Sequence, residues 1–221
     1  MIAIDTIVVP QGAEYKAVCR GLQRANTKDV RVIPIPIGVG QMNKVISKYS
    51  EVINEATYIS IVGLCGGLSN AHAVGDTVLI ERCQDFEREV YLDRGLTATI
   101  QQKLSLSLVT ALTSDRVITQ SQEKLALAQQ YSVSIVEMEG YSYVKALQSQ
   151  GKKVAMLRAV SDDANGNIPD LNRAIDHRGN LLTLPMAIAL MKQPFAAVNL
   201  IRGSLAGLKA LEQIIAKLFA V

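Results

Sequence analysis

Short runs of β-branched residues alternate along this chain with segments of helical spacing, and this alternation constrains the fold more than any other feature. Repeated strand-then-helix units predict an α/β fold, a three-layer α/β/α sandwich whose mixed sheet is mostly parallel. Strands are expected at 2–9, 30–35, 58–62, 77–80, 108–112, 133–137 and 154–160, and helices at 13–22, 41–49, 121–130 and 140–149.

The composition fits one globular unit. The chain has 221 residues, of which 49% are hydrophobic, and no linker or repeat divides it, so we expect a single domain over 1–221. The net charge of +3 is small and dispersed, aromatic residues make up only 5%, and Trp is absent. These values argue against nucleic acid as a partner.

The cysteines and histidines indicate a reducing environment and no metal. Cys19, Cys65 and Cys83 are far apart and form no CxxC pair, so we expect free thiols and a cytoplasmic protein. His72 and His177 have no partner at metal-ligand spacing. The uncharged run 56–75 contains four glycines and several polar residues, which favours a strand and loop over a membrane span.

The C-terminal segment from Leu181 onward has a helical pattern, with expected breaks at Pro185 and Pro194 and an amphipathic stretch near 206–219. We expect these apolar helices to complete the core of the chain. Docking on a partner subunit is the alternative.

A glycine-rich segment, GLCGGL at 63–68, follows a buried strand and is interpreted as a loop. Open α/β sheets bind ligands at the carboxyl ends of their strands. Three glycines within five residues let the backbone approach a ligand closely, so this segment is a candidate site. The P-loop pattern and the third glycine of a dinucleotide fingerprint are both absent.

A second candidate is VEMEG at 136–140, again at the end of a strand. Glu137 and Glu139 flank Met138, and we expect the two carboxylates to point to opposite faces of the extended segment, so that at most one faces a given pocket. The methionine is suited to covering an apolar ligand face. A solvated acidic loop with a core methionine is the alternative.

A third candidate is RAVSDD at 158–163, where a buried strand ends in Ser161, Asp162 and Asp163. Adjacent like charges can raise the pKa of one carboxyl group and make it a general acid. An Asx turn or a helix cap is the alternative. Glu14, at the start of the first helix, is a fourth candidate, although a first-turn acid also stabilises the helix dipole.

Together these motifs resemble one family. PQGAE at 10–14, GLCGGLSNAHAVGD at 63–76, SDRV at 114–117, VEMEG and RAVSDDA occur in this order. The set is similar to the nucleoside phosphorylase and methylthioadenosine/S-adenosylhomocysteine nucleosidase superfamily over about residues 1–180. The remaining tail is similar to that of the hopanoid-associated phosphorylase-like branch.

The resemblance implies a role for each motif. Asp162 matches the aspartate that protonates N7 of a purine leaving group, with Ser161 orienting it. Glu139 matches the glutamate that grips the ribose 2′- and 3′-hydroxyls, and Met138 would pack on the sugar. Glu14 resembles the residue that activates the attacking water. Gly66 and Gly67 would border the nucleophile and sugar region.

Cleavage of an N-glycosidic bond suits these residue types. It passes through an oxocarbenium-like sugar and therefore needs a proton for the leaving base and negative charge near the sugar. The resemblance thus implies an enzyme that acts on a purine nucleoside or a 5′-modified adenosine, with no metal or organic cofactor. A homodimer or larger homo-oligomer is expected. A non-catalytic nucleoside-binding protein is the competing class.

The nucleophile is open between water and orthophosphate. Leu64 replaces a Ser or Thr that many relatives carry in the glycine segment, and no GDP-x-R phosphate motif is present. Arg20, Arg24 and Arg31 could substitute, although nothing fixes them at the site. These departures favour hydrolysis, with phosphorolysis, including that of an adenosylhopane-type substrate, as the alternative.

Overall fold

The computed structural model describes residues 3–38, 40–176 and 178–220. Its strands are β1 Thr6–Pro10, β2 Arg31–Ile35, β3 Tyr58–Gly67, β4 Thr77–Gln84, β5 Glu89–Tyr91, β6 Ser107–Thr113, β7 Ile135–Glu137 and β8 Lys153–Asp162. Its helices are α1 Ala13–Arg24, α2 Met42–Lys48, α3 Ser50–Glu55, α4 Arg94–Leu104, α5 Ser121–Tyr131, α6 Gly140–Gln148, α7 Thr183–Lys192 and α8 Pro194–Phe219. A 3-10 turn covers Asn172–Ala174.

The strands form one mixed sheet. Parallel pairs join β1 to β2 and β3, β3 to β8, and β6 to β4 and β7, whereas β3–β7, β4–β5 and β4–β8 are antiparallel. Hydrogen bonds therefore run from β3 through β8, β4, β6 and β7 back to β3, which curls this part of the sheet into a closed ring. The predicted mixed, mostly parallel sheet is confirmed.

Helices cover both faces of the sheet. Alternate residues of β8 enter opposite cores: Met156 packs with residues of α2, α3 and α6, whereas Leu157 packs with residues of α1, α4 and α8. This period-two separation is what a strand buried on both faces requires. The three-layer α/β/α sandwich predicted from the sequence is confirmed.

Several predicted boundaries are wrong. GLCGGL is not a loop, because β3 continues through Gly67 and pairs with β8 on one side and β7 on the other. The sequence pattern missed α3, β5 and α4. Pro185 does not break a helix, since it lies in the first turn of α7, where proline is tolerated. The predicted start of the first strand, Ile2, lies outside the described residues.

The C-terminal helices only partly complete the core. The second half of α8 packs on α1 and the sheet through Leu211, Ile214, Ile215 and Leu218. The first half of α8 reaches the end of β8, where a Cβ on Gly203 would lie 2.0 Å from the Ser161 carbonyl oxygen. By contrast, α7 has no buried residue.

Two further features are the state of the thiols and the character of the helices. Cys19, Cys65 and Cys83 are free, as predicted. Among the described residues, no helix combines the length and apolar character needed to cross a membrane.

Candidate active site

An open cavity of about 170 Å³ lies where β3, β7 and β8 end and α1 begins. The strand ends supply Cys65, Gly66, Glu137, Ser161 and Asp162 to its lining. Glu14 of α1, Glu139 and Arg116 also line it, and several apolar side chains complete that lining: Pro10, Ile37, Leu64, Val117, Ile118, Val136, Met138 and Ile168.

Asp162 and Ser161 line the cavity and Lys124 pairs with Asp162, and we call these three residues the Lys124 cluster. Lys124 lies on α5 and is fully buried. Its Nζ is 2.5 Å from Asp162 Oδ2 and also donates to the carbonyl oxygens of Asp163 at 2.7 Å and Gly166 at 3.2 Å. The three donors of the ammonium group are thus all used. Ser161 Oγ donates to the Cys65 carbonyl oxygen at 3.1 Å and lies 3.0 Å from Asp162 Oδ1.

The pKa of Asp162 is raised, chiefly by burial, and the neighbouring ammonium group of Lys124 opposes this rise. Repulsion from Asp163, which the sequence suggested as the cause, is the smallest contribution. Asp163 instead forms a turn, since its Oδ1 accepts the backbone N–H groups of Asn165 and Gly166. The Asx-turn interpretation therefore applies to Asp163, and Asp162 is the candidate general acid.

Glu14, Glu137 and Glu139 of the cavity lining lie near the buried Arg158, and we call these four residues the Arg158 cluster. The guanidinium of Arg158 is fully buried, and its Nη2 lies 2.5 Å from Glu137 Oε2 and 3.7 Å from Glu139 Oε2. The Nε and Nη1 atoms of Arg158 have no hydrogen-bond partner among the described residues. Unpaired buried donors are rare and are a frequent sign of a bound water or ligand.

Glu137 is a structural carboxylate. Its Oε2 accepts the backbone N–H groups of Glu139 and Gly140 at 3.0 and 2.6 Å, which caps the start of α6, and its Oε1 accepts the hydroxyl of Thr113. With Arg158 as a further partner, its lone pairs are occupied. Glu139 has fewer hydrogen-bond partners among the described residues, where its Oε1 accepts the Gly38 N–H at 2.8 Å.

The expectation that Glu137 and Glu139 point to opposite faces is wrong. Residues two apart in an extended segment lie on the same side, because successive side chains alternate. Both carboxylates line the cavity and approach the same guanidinium group. The segment therefore supplies two carboxylates to the site.

Glu14 reaches the cavity from the first turn of α1. Its Oε1 accepts the backbone N–H of Leu64 at 2.6 Å, which ties α1 to β3. A Cβ on Gly63 would lie 2.2 Å from Arg158 Nη1 and 2.9 Å from Glu14 Oε1, so only glycine leaves room for both groups at this point. Glu14 and Arg158 therefore both pack closely against the backbone of Gly63.

Two carboxyl groups of this cluster, those of Glu14 and Glu139, have raised pKa values. Burial raises the pKa of Glu139 to about 7, with the neighbouring Glu137 and Glu14 adding to the rise and Arg158 opposing it. Burial also raises the pKa of Glu14, against the Leu64 N–H and Arg158. Strongly shifted carboxyl groups in a cavity are typical of active sites.

The other predicted residues divide between the cavity and its support. Met138 and Gly66 line the cavity, and a Cβ on Gly66 would lie 3.0 Å from Asp162 Oδ2. Gly67 does not line it, because it lies under the backbone of Asp162 and Asp163. Leu64 lines the cavity with an apolar side chain, as expected.

The arginines suggested as phosphate ligands lie elsewhere. Arg20 and Arg24 pair with Glu212 of α8, and Arg31 pairs with Glu55. Arg116 does line the cavity, although its guanidinium pairs with Glu123. Among the described residues, no group of three or more His, Cys, Asp or Glu side chains is placed to hold a metal ion.

Sequence reasoning missed the two cations. Arg158 carried a signal, because a charged residue within the apolar strand VAMLRAV has to be paired when buried. Lys124 carried none, since a single lysine on a helix of polar residues resembles a solvated one.

The fold and the cavity define a class: an α/β protein with a cavity lined by carboxylates at the ends of its strands. The sequence matches the Phosphorylase superfamily over residues 12–180, and the chain belongs to that superfamily. The family resemblance of the motifs is thus confirmed.

Similar proteins include hydrolases and nucleosidases. The chain is 26% identical to futalosine hydrolase of Thermus thermophilus over 161 residues, 62% of this chain and 72% of that protein. Its structure matches the 5′-methylthioadenosine nucleosidase of Arabidopsis thaliana with a TM-score of 0.70 at 16% identity, covering 98% of this chain and 94% of that one. It also matches the 5′-methylthioadenosine/S-adenosylhomocysteine nucleosidase of S. pneumoniae with a transition-state inhibitor, at a TM-score of 0.63 and 19% identity over 93% and 98% of the two chains.

Proposed function

We propose that this protein hydrolyses the N-glycosidic bond of a purine nucleoside or a 5′-modified adenosine. The observation that carries the proposal is the division of charge across one cavity. The Lys124 cluster holds a single carboxylate against a single cation, whereas the Arg158 cluster holds three carboxylates around one cation. A leaving base that needs a proton and a sugar that develops positive charge require this arrangement.

Asp162 serves the leaving base. Burial favours its protonated form, and Ser161 and Lys124 fix the position of the carboxyl group. When Asp162 gives its proton to the base nitrogen, the carboxylate that remains is stabilised by the ammonium group 2.5 Å away. Lys124 is therefore a positioning residue that makes the proton easier to release.

Glu139 and Met138 serve the sugar. Glu139 is held at one oxygen by the Gly38 N–H and keeps further lone pairs for two adjacent ribose hydroxyls. Met138 presents a flexible apolar side chain to the sugar ring. Negative charge on Glu139 also stabilises the cationic sugar of the transition state.

Glu14 serves the attacking water. Glu14 lines the cavity, and there it accepts a proton from the attacking water. The water oxygen bonds to the anomeric carbon as the carbon–nitrogen bond breaks, and the bonding pair leaves with the base. One proton passes to Glu14 and one leaves Asp162, so the products are free base and free sugar.

The same electrostatics favour water over orthophosphate. A dianion in the cavity would face Glu14, Glu137 and Glu139, whose charges outnumber that of Arg158. The other arginine at the cavity, Arg116, is already paired with Glu123. A neutral nucleophile meets no such repulsion.

The comparisons support this interpretation. The prediction of an enzyme that cleaves N-glycosidic bonds is confirmed by the Phosphorylase superfamily match together with the hydrolase and nucleosidase relatives. The purine base and the 5′-group stay proposals, as do the homo-oligomeric state, the cytoplasmic location and a reaction without metal or organic cofactor.

The test is a panel of purine nucleosides and 5′-modified adenosines, followed for free base with and without orthophosphate. We expect base release in buffer alone. In water enriched in oxygen-18, the label should appear at the anomeric carbon of the free sugar.

Base release that depends on phosphate, with sugar 1-phosphate as the product, would replace hydrolysis by phosphorolysis. No release from any nucleoside, with retained binding of one of them, would support the non-catalytic class instead. Asp162→Asn is the negative control, because it keeps the shape of the side chain and removes the acid.

A further inference from the structure

The surface of α7 and of the first half of α8 is apolar to a degree that no other described part of the chain shows. Nine of the fourteen exposed large hydrophobic side chains fall between residues 181 and 205. They are Leu181, Leu182, Leu184, Ile188, Met191, Phe195, Val198, Ile201 and Leu205. We call this set the apolar face.

The members of the apolar face follow helical spacing. On α7, Leu184, Ile188 and Met191 are four and three residues apart, so they share one side of the helix. Residues 195, 198, 201 and 205 do the same on α8. Leu184, Met191 and Phe195 are 71%, 73% and 87% exposed, which leaves each of these side chains almost without contacts.

The charge of the same segment has one sign. Between Asp176 and Glu212 the sequence contains no acidic residue, whereas it contains Arg178, Lys192, Arg202 and Lys209. The structure describes all four as exposed. A helix with an exposed apolar stripe and basic flanks is the pattern of helices that lie in the interface of a bilayer.

We propose that the apolar face docks on the surface of a membrane that contains anionic lipids. The apolar side chains enter the boundary between headgroups and acyl chains, and the basic residues contact the lipid phosphates. The protein lies on the bilayer and does not span it, because the second half of α8 is packed against α1 and the sheet. The inference is independent of the reaction proposed above.

A second copy of this chain fits the face less well. In a two-fold interface the same patch meets itself, so the basic residues of one protomer would meet those of the other with no acidic residue between them. Like charges opposed across an interface reduce binding. An anionic bilayer supplies the missing countercharge.

The absence of Trp from the chain gives a direct probe. Phe195→Trp introduces a single reporter at the most exposed position of the apolar face, and Tyr91→Trp, at a 55% exposed position on β5, is the matched control. With vesicles of phosphatidylcholine and phosphatidylglycerol, we expect a blue shift of the tryptophan emission in the Phe195→Trp variant and none in the control. Vesicles of phosphatidylcholine alone should give a much smaller shift.

Two further variants and a control separate the apolar from the electrostatic contribution to membrane binding, which is measured by vesicle sedimentation. Leu184→Ser with Met191→Ser should abolish binding without loss of folding, since both side chains are exposed. Lys192→Gln should weaken binding to the anionic vesicles about fivefold, which corresponds to ~1 kcal/mol per basic residue. Lys217→Gln, on the packed half of α8, should have no effect.

Absence of sedimentation with anionic vesicles, or equal sedimentation of the Leu184→Ser, Met191→Ser variant, would overturn the proposal. So would analytical ultracentrifugation in which the wild type is a dimer, that double variant is a monomer, and vesicles bind neither. That outcome would assign the apolar face to a second copy.

Discussion

The Lys124 cluster and the Arg158 cluster both contribute carboxyl groups to one cavity, and each buries a single cation. They differ in how the charge is balanced. All three donors of Lys124 are used and one carboxylate neutralises it. Arg158 faces three carboxylates and keeps two nitrogen atoms without partners among the described residues.

In the Lys124 cluster all donors of the cation are used, whereas the Arg158 cluster has donors left to bind another group. A saturated ion pair fixes the position of Asp162 and contributes little free bonding capacity. The Arg158 cluster has unused donors and excess negative charge, so it is completed only by a neutral or cationic group. A buried cation can thus either position an acid or prepare a binding site, depending on its number of partners.

Asp162→Asn removes the one acid of the Lys124 cluster and should have the largest effect. We expect turnover to fall by about 10²–10⁴-fold with little change in folding, which is the usual contribution of a general acid. The measurement is steady-state base release together with thermal unfolding. Asp163→Asn is the matched control, because its turn can be kept by an amide oxygen. Equal loss in both variants would contradict the assignment.

Removal of each cation tests the difference in charge balance. Breaking a buried ion pair by removing one partner costs about 3–5 kcal/mol. We expect Arg158→Met to lie at the upper end, since three carboxylates lose their partner, and Lys124→Met at the lower end. Urea unfolding measures both. A larger loss for Lys124→Met would reverse the comparison.

Glu137→Gln tests whether the uncompensated carboxylates cause the loss of stability in Arg158→Met. Because this change removes one carboxylate beside Arg158, it should restore part of the stability of Arg158→Met. Adding it to Lys124→Met should give no such recovery.

Lys124→Met should also change the pH profile of turnover. The ammonium group opposes the rise in the pKa of Asp162, so its loss should raise that pKa further. Asp162 must be protonated to act, and the loss of activity at high pH should therefore move to higher pH, with a lower kcat. Lys124→Arg retains the charge and should leave the profile close to that of the wild type. If Lys124 were purely structural, Lys124→Met would lower the activity without changing the pH at which activity is lost.

Of these substitutions Glu139→Gln should have the smallest effect. It should change how the free energy of unfolding depends on pH. The pKa of Glu139 rises from an ordinary 4.5 to about 7 in the folded protein. The folded state therefore binds a proton that the unfolded chain releases, and the free energy of unfolding should fall as the pH rises through this window. The glutamine variant should show a flatter dependence, measured by urea unfolding. An unchanged slope would mean that the carboxyl group titrates normally.

Much of the fold follows from the sequence, because periodicity is a local property. The buried strand VAMLRAV and the strand-then-helix order led to the three-layer sandwich. The glycine segment did not resemble a strand, since glycine has low β-propensity and only pairing with β8 and β7 holds it extended. Helix α4, capped by Asp93, was overlooked although that cap is visible in the sequence.

The site was predicted in part. Asp162, Ser161, Glu14, Glu139 and Met138 meet at one cavity, as the ordered motifs implied. Lys124 could not be predicted, because its partner lies far along the chain and only the packing of α5 brings them together. The charge balance of the two clusters is likewise a property of the folded state.

Cys65 lies among these charges, and its position has a chemical consequence. Burial raises the pKa of the Cys65 thiol, and the same holds for Cys83. Thiolates, and not thiols, react with alkylating reagents, so both cysteines should resist modification in the native state while partly exposed Cys19 reacts. The rate at which Cys65 is alkylated would then report how often the strands around the cavity open. Cys65 thus serves as a built-in probe of local unfolding at the site.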